Sequence, residues 1–282
     1  MTVLGIDGGG SKTKFLLEDD NGLEIARLET GPSNWLSAGA AAARESILEG
    51  LSQLPEPPDV VCGGFAGAGR PESAAFYRDC LQQALPRARV LVETDAFIAY
   101  IGAIGIRPGV LLIAGTGSIA VGRREDGFMV RAGGWGPYFG DEGSGHWIGR
   151  EAVRTALRAY DAGEFPEFVS AVERGLGLRS ITDAPLAWRK GNADVRLVAS
   201  LAESIFQQYP AEPANRILNE AAAHLRTLVE TAVRKVGAPA CPLSVAGSVA
   251  AHPIMQKLLG LSASPPQHPP ERGAIIWARS TL

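Results

Sequence analysis

The sequence predicts an α/β chain built from two related halves, and three observations carry that expectation. Each half opens with a short apolar strand, a glycine-rich turn and a second strand. Residues 2–6 lead into Asp7-Gly8-Gly9-Gly10-Ser11-Lys12-Thr13, and residues 110–114 into Gly115-Thr116-Gly117-Ser118. Each half then closes a three-stranded meander at a second turn, Asp20-Asn21-Gly22 in one and Asp126-Gly127 in the other. Asn-Gly is a hairpin signal because both central residues tolerate positive φ. Beyond the meanders, strand-length apolar runs alternate with stretches of helical period.

In the first half, strands at 2–6, 12–19 and 23–30 form the meander. The alanine-rich segment 38–53 reads as a helix, 60–65 as a buried strand, 72–84 as a helix, 89–93 as a strand and 96–105 as a helix. Arg107-Pro108-Gly109 then breaks the chain, dividing it into an N-terminal domain, 1–107, and a C-terminal domain, 108–282. The second half repeats the meander at 110–114, 118–123 and 128–132. Helices at 144–160, 195–208 and 214–236 and a short strand at 242–246 follow. Pro265-Pro266 and Pro269-Pro270 stiffen a loop before a final helix over 272–278.

Composition narrows the function classes. The 282 residues are 46% hydrophobic, as in an ordinary globular protein. A net charge of −3, from 27 basic and 30 acidic residues, argues against a nucleic-acid binder. The longest mostly apolar stretch, 96–106, is far shorter than the ~20 residues of a membrane span. The N-terminus runs directly into a strand without a basic leader, so a cytoplasmic protein is expected. Cys62, Cys80 and Cys241 are too few and too scattered for a disulfide framework or a metal-ligand pair.

The glycine turns carry the chemistry. Asp7 at a strand end can hold Mg²⁺ while the N–H groups of the turn after it meet phosphate oxygens. The turn is not a Walker A loop, since Gly-x-x-x-x-Gly-Lys-Ser/Thr is absent. With Gly115 to Ser118 as a second cradle, the pair suggests a polyphosphate gripped between the halves and an ATP-using phosphoryl-transfer enzyme. Asp95, in Glu93-Thr94-Asp95-Ala96, lies where a strand hands over to a helix. There it either accepts the proton of a substrate hydroxyl or merely caps the helix. Glycine recurs at 133, 134, 136, 140, 143 and 145 around the acidic pair Asp141-Glu142, a backbone suited to sugar hydroxyls. Ser244 to Ala250 passes from strand through Gly247 to helix and can lie against adenine or ribose. His146, His224, His252 and His268 show no ligand spacing and read as structural or surface residues.

Together and in this order, Asp7–Thr13, Thr94-Asp95-Ala96, Gly115–Ser118, Gly133–Gly136, Gly140–Ser144 and Gly247-Ser248 resemble the BadF/BadG/BcrA/BcrD-type ATPases, within them the N-acetylglucosamine kinases. These belong to the actin, Hsp70 and sugar-kinase superfamily. The resemblance spans essentially the whole chain and implies two ribonuclease H-like domains of the actin-like ATPase type with an interdomain cleft. It implies ATP and Mg²⁺ as cofactors: Asp7 on the metal, Gly8, Gly9, Gly10, Ser11, Lys12 and Thr13 as the first phosphate loop, Gly115, Thr116, Gly117 and Ser118 as the second. Gly247, Ser248 and Val249 would contact adenosine. Asp95 would be the base, and Asn34, Asp95, Gly134 and Asp141 would contact an amino sugar. A homodimer is implied as well. Ile119 stands where the N-acetylglucosamine kinases carry asparagine, and Ala66 near their serine, which leaves glucosamine and N-acetylmuramic acid as alternative acceptors. Two other classes compete. An iron–sulfur activator of the same superfamily would need a close cysteine pair, and a nucleotide-binding regulator would carry no turnover.

Overall fold

The computed structural model describes residues 1–191 and 194–282, and the chain forms two compact units. The first contains Met1–Arg107 and Pro266–Leu282, the second Pro108–Pro265. Residues 266–282, grouped with the second half by the sequence reading, therefore return to the first unit. Among the described residues no helix is long and apolar enough to cross a membrane.

The first unit is built on β1 (Val3–Gly8), β2 (Thr13–Glu18), β3 (Glu24–Thr30), β4 (Val60–Phe65) and β5 (Arg89–Thr94). Their order is β3-β2-β1-β4-β5, antiparallel through the meander and parallel from β1 to β5. Helices α1 (Trp35–Ala38), α2 (Ala40–Ser52), α3 (Pro71–Ala84) and α4 (Asp95–Ile104) connect the strands. The alternation of side chains along β1 supplies both faces of the sheet. Leu4 and Ile6 join Phe15, Ile47, Tyr77 and Leu81 in one core layer; Val3 joins Leu16, Val60, Cys62, Ile98 and Ile275 in the other.

The second layer is closed by α4 and the C-terminal helix, Pro270–Ser280. Their contact is backbone to backbone. A Cβ on Gly273 would lie 2.0 Å from the Ile98 carbonyl oxygen and 2.5 Å from the Gly102 nitrogen, and one on Gly5 would lie 1.9 Å from the Glu271 oxygen. Buried Glu271 and Glu18 anchor the same helix, one ion-paired with Arg27 at 2.6 Å, the other with Arg272 at 3.3 Å and Arg279 at 3.4 Å.

The second unit contains β6 (Gly109–Ala114), β7 (Ser118–Arg123), β8 (Met129–Gly133) and β9 (Leu243–Ala246) in the order β8-β7-β6-β9. This is the arrangement of β3-β2-β1-β4, again antiparallel through the meander with a parallel fourth strand. The repeat legible as a residue pattern is thus a repeat of topology. Around it lie α5 (Gly145–Ala162), α6 (Pro166–Leu176), a 3₁₀ turn Ile181–Asp183, α7 (Ala184–Arg189), α8 (Val195–Gln208), α9 (Ala214–Val236) and α10 (Pro253–Leu259). Leu218, Leu225 and Val229 of α9 join Val110, Leu112, Ala120 and Ile148 in one continuous core. Exposed His224 meets Trp147 edge-on, and half-buried His252 stacks on Phe206 and accepts from Ile254 N–H at the start of α10, which fits the reading of both as structural or surface residues.

Candidate active site

In the first unit the site residues gather where β1, β4 and β5 end. Asp7 occupies the middle of a cross-sheet row, Glu29–Lys14–Asp7–Gly64–Glu93, whose side chains share one face of the sheet. Burial pushes the Asp7 carboxyl up to about 6, and the charges of Glu271 and Asp95 add to this, with Lys14 opposing it. A buried carboxylate whose proton affinity stays raised despite Lys14 and Lys12 fits a hard divalent cation as its partner. Lys14, which the motif reading passed over, is its direct cross-strand neighbour. Period-two alternation along β2 carried that signal.

The first glycine turn is tight because Gly9 N–H donates to the Lys12 carbonyl at 3.0 Å. None of its three glycines has positive φ, and Gly8 is the one that close packing requires. A Cβ on Gly8 would lie 2.2 Å from the Phe65 ring and 2.5 Å from Ser33 Oγ. The Gly9 carbonyl accepts from both Ser33 N–H and Asn34 N–H at 3.1 Å, which fastens the Asn34 loop to the turn. Asn34 Oδ1 caps α1 through Leu36 N–H, leaving its amide nitrogen as the donor available to a ligand. Tyr77 holds the loop from below, its hydroxyl accepting from Trp35 N–H and donating to the Ser33 carbonyl. Ser11 and Lys12 are exposed, Lys12 pairing with Glu29 at 2.9 Å. The Thr13 hydroxyl is buried and donates to the Gly31 carbonyl at 2.8 Å.

Asp95 opens α4, but it is not the cap. Thr94 caps the helix, its hydroxyl accepting from Phe97 N–H at 3.1 Å. Asp95 Oδ1 accepts from Ala96 N–H at 2.8 Å, and the carboxylate is also held by its own backbone N–H. Burial raises the proton affinity of this group above that of an ordinary aspartate, against the opposing pull of the Ala96 bond. A raised pKa at a helix N-terminus suits a group that must accept a proton and hold it.

In the second unit the glycine turn Gly115–Ser118 lies beside the turn after β9. Gly247 has φ +90°, and a Cβ there would meet the Ala114 oxygen at 2.4 Å; the Ala114 carbonyl accepts from Val249 N–H at 2.9 Å. A Cβ on Gly115 would lie 3.8 Å from the Ser248 nitrogen, so the second glycine turn and the segment expected to contact adenosine are neighbours. Gly134 (φ +70°) hydrogen-bonds Ser118 through its N–H, and Ile119 packs beneath it, Cδ1 being 2.7 Å from where a Cβ would stand. The Ser118 hydroxyl donates to the Glu142 carbonyl at 2.8 Å. Asp141 is buried with φ +59°, its Oδ1 accepting from Gly136 N–H at 3.2 Å. Cys62 and Cys80 are buried in the first unit, where burial raises both thiols, and they act as packing residues.

The comparisons with known proteins agree with this geometry. The profile of the BadF/BadG/BcrA/BcrD ATPase family matches residues 4–278. An N-acetylmuramic acid/N-acetylglucosamine kinase of Clostridium acetobutylicum is 35% identical over 241 residues, covering 82% of this chain and 79% of its own. An N-acetyl-D-glucosamine kinase of Dictyostelium discoideum is 31% identical over 254 residues, covering 83% and 80%. Among solved structures, a Chromobacterium violaceum protein provisionally called an N-acetylglucosamine kinase superposes with a TM-score of 0.80 at 27% identity, covering 98% of each chain. With the matched strand orders of its two units and a family profile spanning nearly its whole length, the chain belongs to the BadF/BadG/BcrA/BcrD ATPase family.

Proposed function

We propose that this chain is an ATP-dependent amino-sugar kinase that transfers the γ-phosphoryl group to a sugar hydroxyl. The observation that carries the reading is Asp95, one oxygen pinned by Ala96 and its proton affinity raised by burial, standing beside Asp7 at the strand ends. In this reading Asp95 orients the acceptor hydroxyl and takes its proton as the new O–P bond forms, while the bond to the leaving ADP breaks. Asn34 and the Gly134 backbone hold the sugar. The backbone of the two glycine turns binds phosphate oxygens, a role for which the committed Thr13 and Ser118 hydroxyls are less suited than the N–H groups around them. Mg²⁺, when bound with ATP beside Asp7, offsets phosphate charge. The names of the two kinase relatives support an amino sugar as acceptor.

The test is an ADP-release assay across N-acetylglucosamine, N-acetylmuramic acid, glucosamine and glucose. Release that rises with an amino sugar is the expected result. Release that no sugar stimulates refutes the kinase reading.

A pH dependence follows from Asp7. With its pKa pushed up to about 6, it is a carboxylate at pH 7 and carries its proton at pH 5. Because the protonated form lacks the charge that attracts a cation, affinity for ADP in the presence of Mg²⁺ is expected to weaken about 10-fold from pH 7 to pH 5. Asp7→Asn should bind weakly at both, with the slope reduced to what protonation of the ADP phosphate alone gives; titration calorimetry at the two pH values measures both.

A further inference from the structure

The second glycine turn is hydrogen-bonded at almost every residue to the segment 134–146. The Gly115 carbonyl accepts from Gly145 N–H at 2.7 Å, the Thr116 carbonyl from His146 N–H at 3.2 Å and the Ser118 carbonyl from Gly134 N–H at 3.0 Å. Asp141 stands at the centre of this seam. Its Oδ1 takes the Gly136 N–H, its carboxylate also accepts from Ser118 N–H, and its Oδ2 lies 2.7 Å from where a Cβ on Gly117 would stand. No side chain larger than hydrogen fits at 117 beneath it. Asp141 is one of two non-glycine residues with positive φ among the described residues. A left-handed aspartate persists only where its surroundings over-determine it. Here the bonds from Gly136 and Ser118 do so, and they offset the cost of a buried charge.

We infer that Asp141 is a positioning residue that locks the second glycine turn to the loop carrying Gly134, so that nucleotide in the turn presets the sugar side of the site. The inference rests on the kinase reading and adds a coupling to it. The carbonyls of Gly115, Thr116 and Ser118 accept from the loop, and in the kinase reading the turn meets a phosphate through its backbone N–H groups. An anion that orders the turn therefore orders the loop, and by linkage the sugar must strengthen nucleotide binding by the same factor.

Calorimetry tests this with N-acetylglucosamine, glucosamine and N-acetylmuramic acid, each titrated into the protein alone and into the protein saturated with ADP and Mg²⁺. In the wild type, ADP is expected to tighten at least one of these sugars about 10-fold. Asp141→Asn keeps the volume and tolerates left-handed backbone, but offers one amide oxygen where the carboxylate offers two. It should reduce the factor to about 3 or less. Asp141→Gly, which removes backbone strain along with the carboxylate, should do the same while still unfolding in one cooperative thermal transition, which separates lost coupling from misfolding. A residue that merely contacts sugar gives a different result: affinity weakened equally with and without ADP, the factor unchanged. That result overturns the inference, as does wild-type protein that binds both ligands independently. If the wild type binds no amino sugar under either condition, the kinase reading itself fails and the inference with it.

Discussion

Asp95→Asn is expected to lower kcat by roughly 10²–10⁴-fold, the usual contribution of a positioned general base. The substitution is nearly isosteric, and an amide oxygen can still accept from Ala96 N–H, so the start of α4 keeps its shape. An amide cannot take up the acceptor's proton, and there the loss arises. Burial already penalises the ionised aspartate, so the neutral amide should leave the folded state intact. ADP affinity should stay within about threefold, because no phosphate contact is assigned to Asp95. Steady-state kinetics paired with nucleotide titration separate the two effects. Turnover near the wild-type rate would remove Asp95 from the chemistry and move attention to Glu93, which already spends an oxygen on the Trp277 indole N–H.

Gly273→Ala is expected to destabilise the first unit by about 3 kcal/mol, the upper end of the usual overpacking range. The added methyl group would sit 2.0 Å from the Ile98 oxygen and within 3 Å of Gly102 backbone atoms, none of which can rotate aside. The C-terminal helix has to move away from α4, and the contact of Glu271 with Gly5 moves with it. Gly260→Ala is the control: Gly260 has φ +61° with nothing within 4 Å of its Cβ direction, so only backbone strain applies, about 1 kcal/mol. Denaturant unfolding of both variants measures the difference. Equal, small losses would mean that the two helices part easily.

How much of this was legible beforehand depended on how local each signal is. The strands of both meanders and helices α3, α4, α5, α8 and α9 were visible because apolar period and turn residues act within one window. The short helices α1, α6 and α7 were not, and the helix expected straight after Gly247 begins only at Pro253, as α10. Each is brief, and their burial, such as Phe168 and Val172 of α6 in the second core, is set by distant partners. The glycines of the two turns stood out in the sequence as phosphate cradles, and the structure adds a packing reason for two of them. Gly8 and Gly117 are needed because Phe65, Ser33 and Asp141 crowd them, and such crowding is a long-range fact. Asp95 remained ambiguous between cap and base in one dimension. Three-dimensional geometry assigns the capping to Thr94. The return of residues 266–282 to the first unit could not be read from the sequence, since a proline-rich connector points nowhere by composition.

That return has a consequence for biosynthesis. The second unit is contiguous in sequence and can finish folding as soon as it leaves the ribosome. The first cannot, because Ala274, Ile275 and Ala278, which cover Val3, Leu16 and Cys62, are translated only after the second unit. At ~5–20 residues per second, the nascent amino-terminal sheet waits roughly ten to thirty seconds with one oily side bare while the intervening unit is made. Holdase chaperones have that interval in which to bind it.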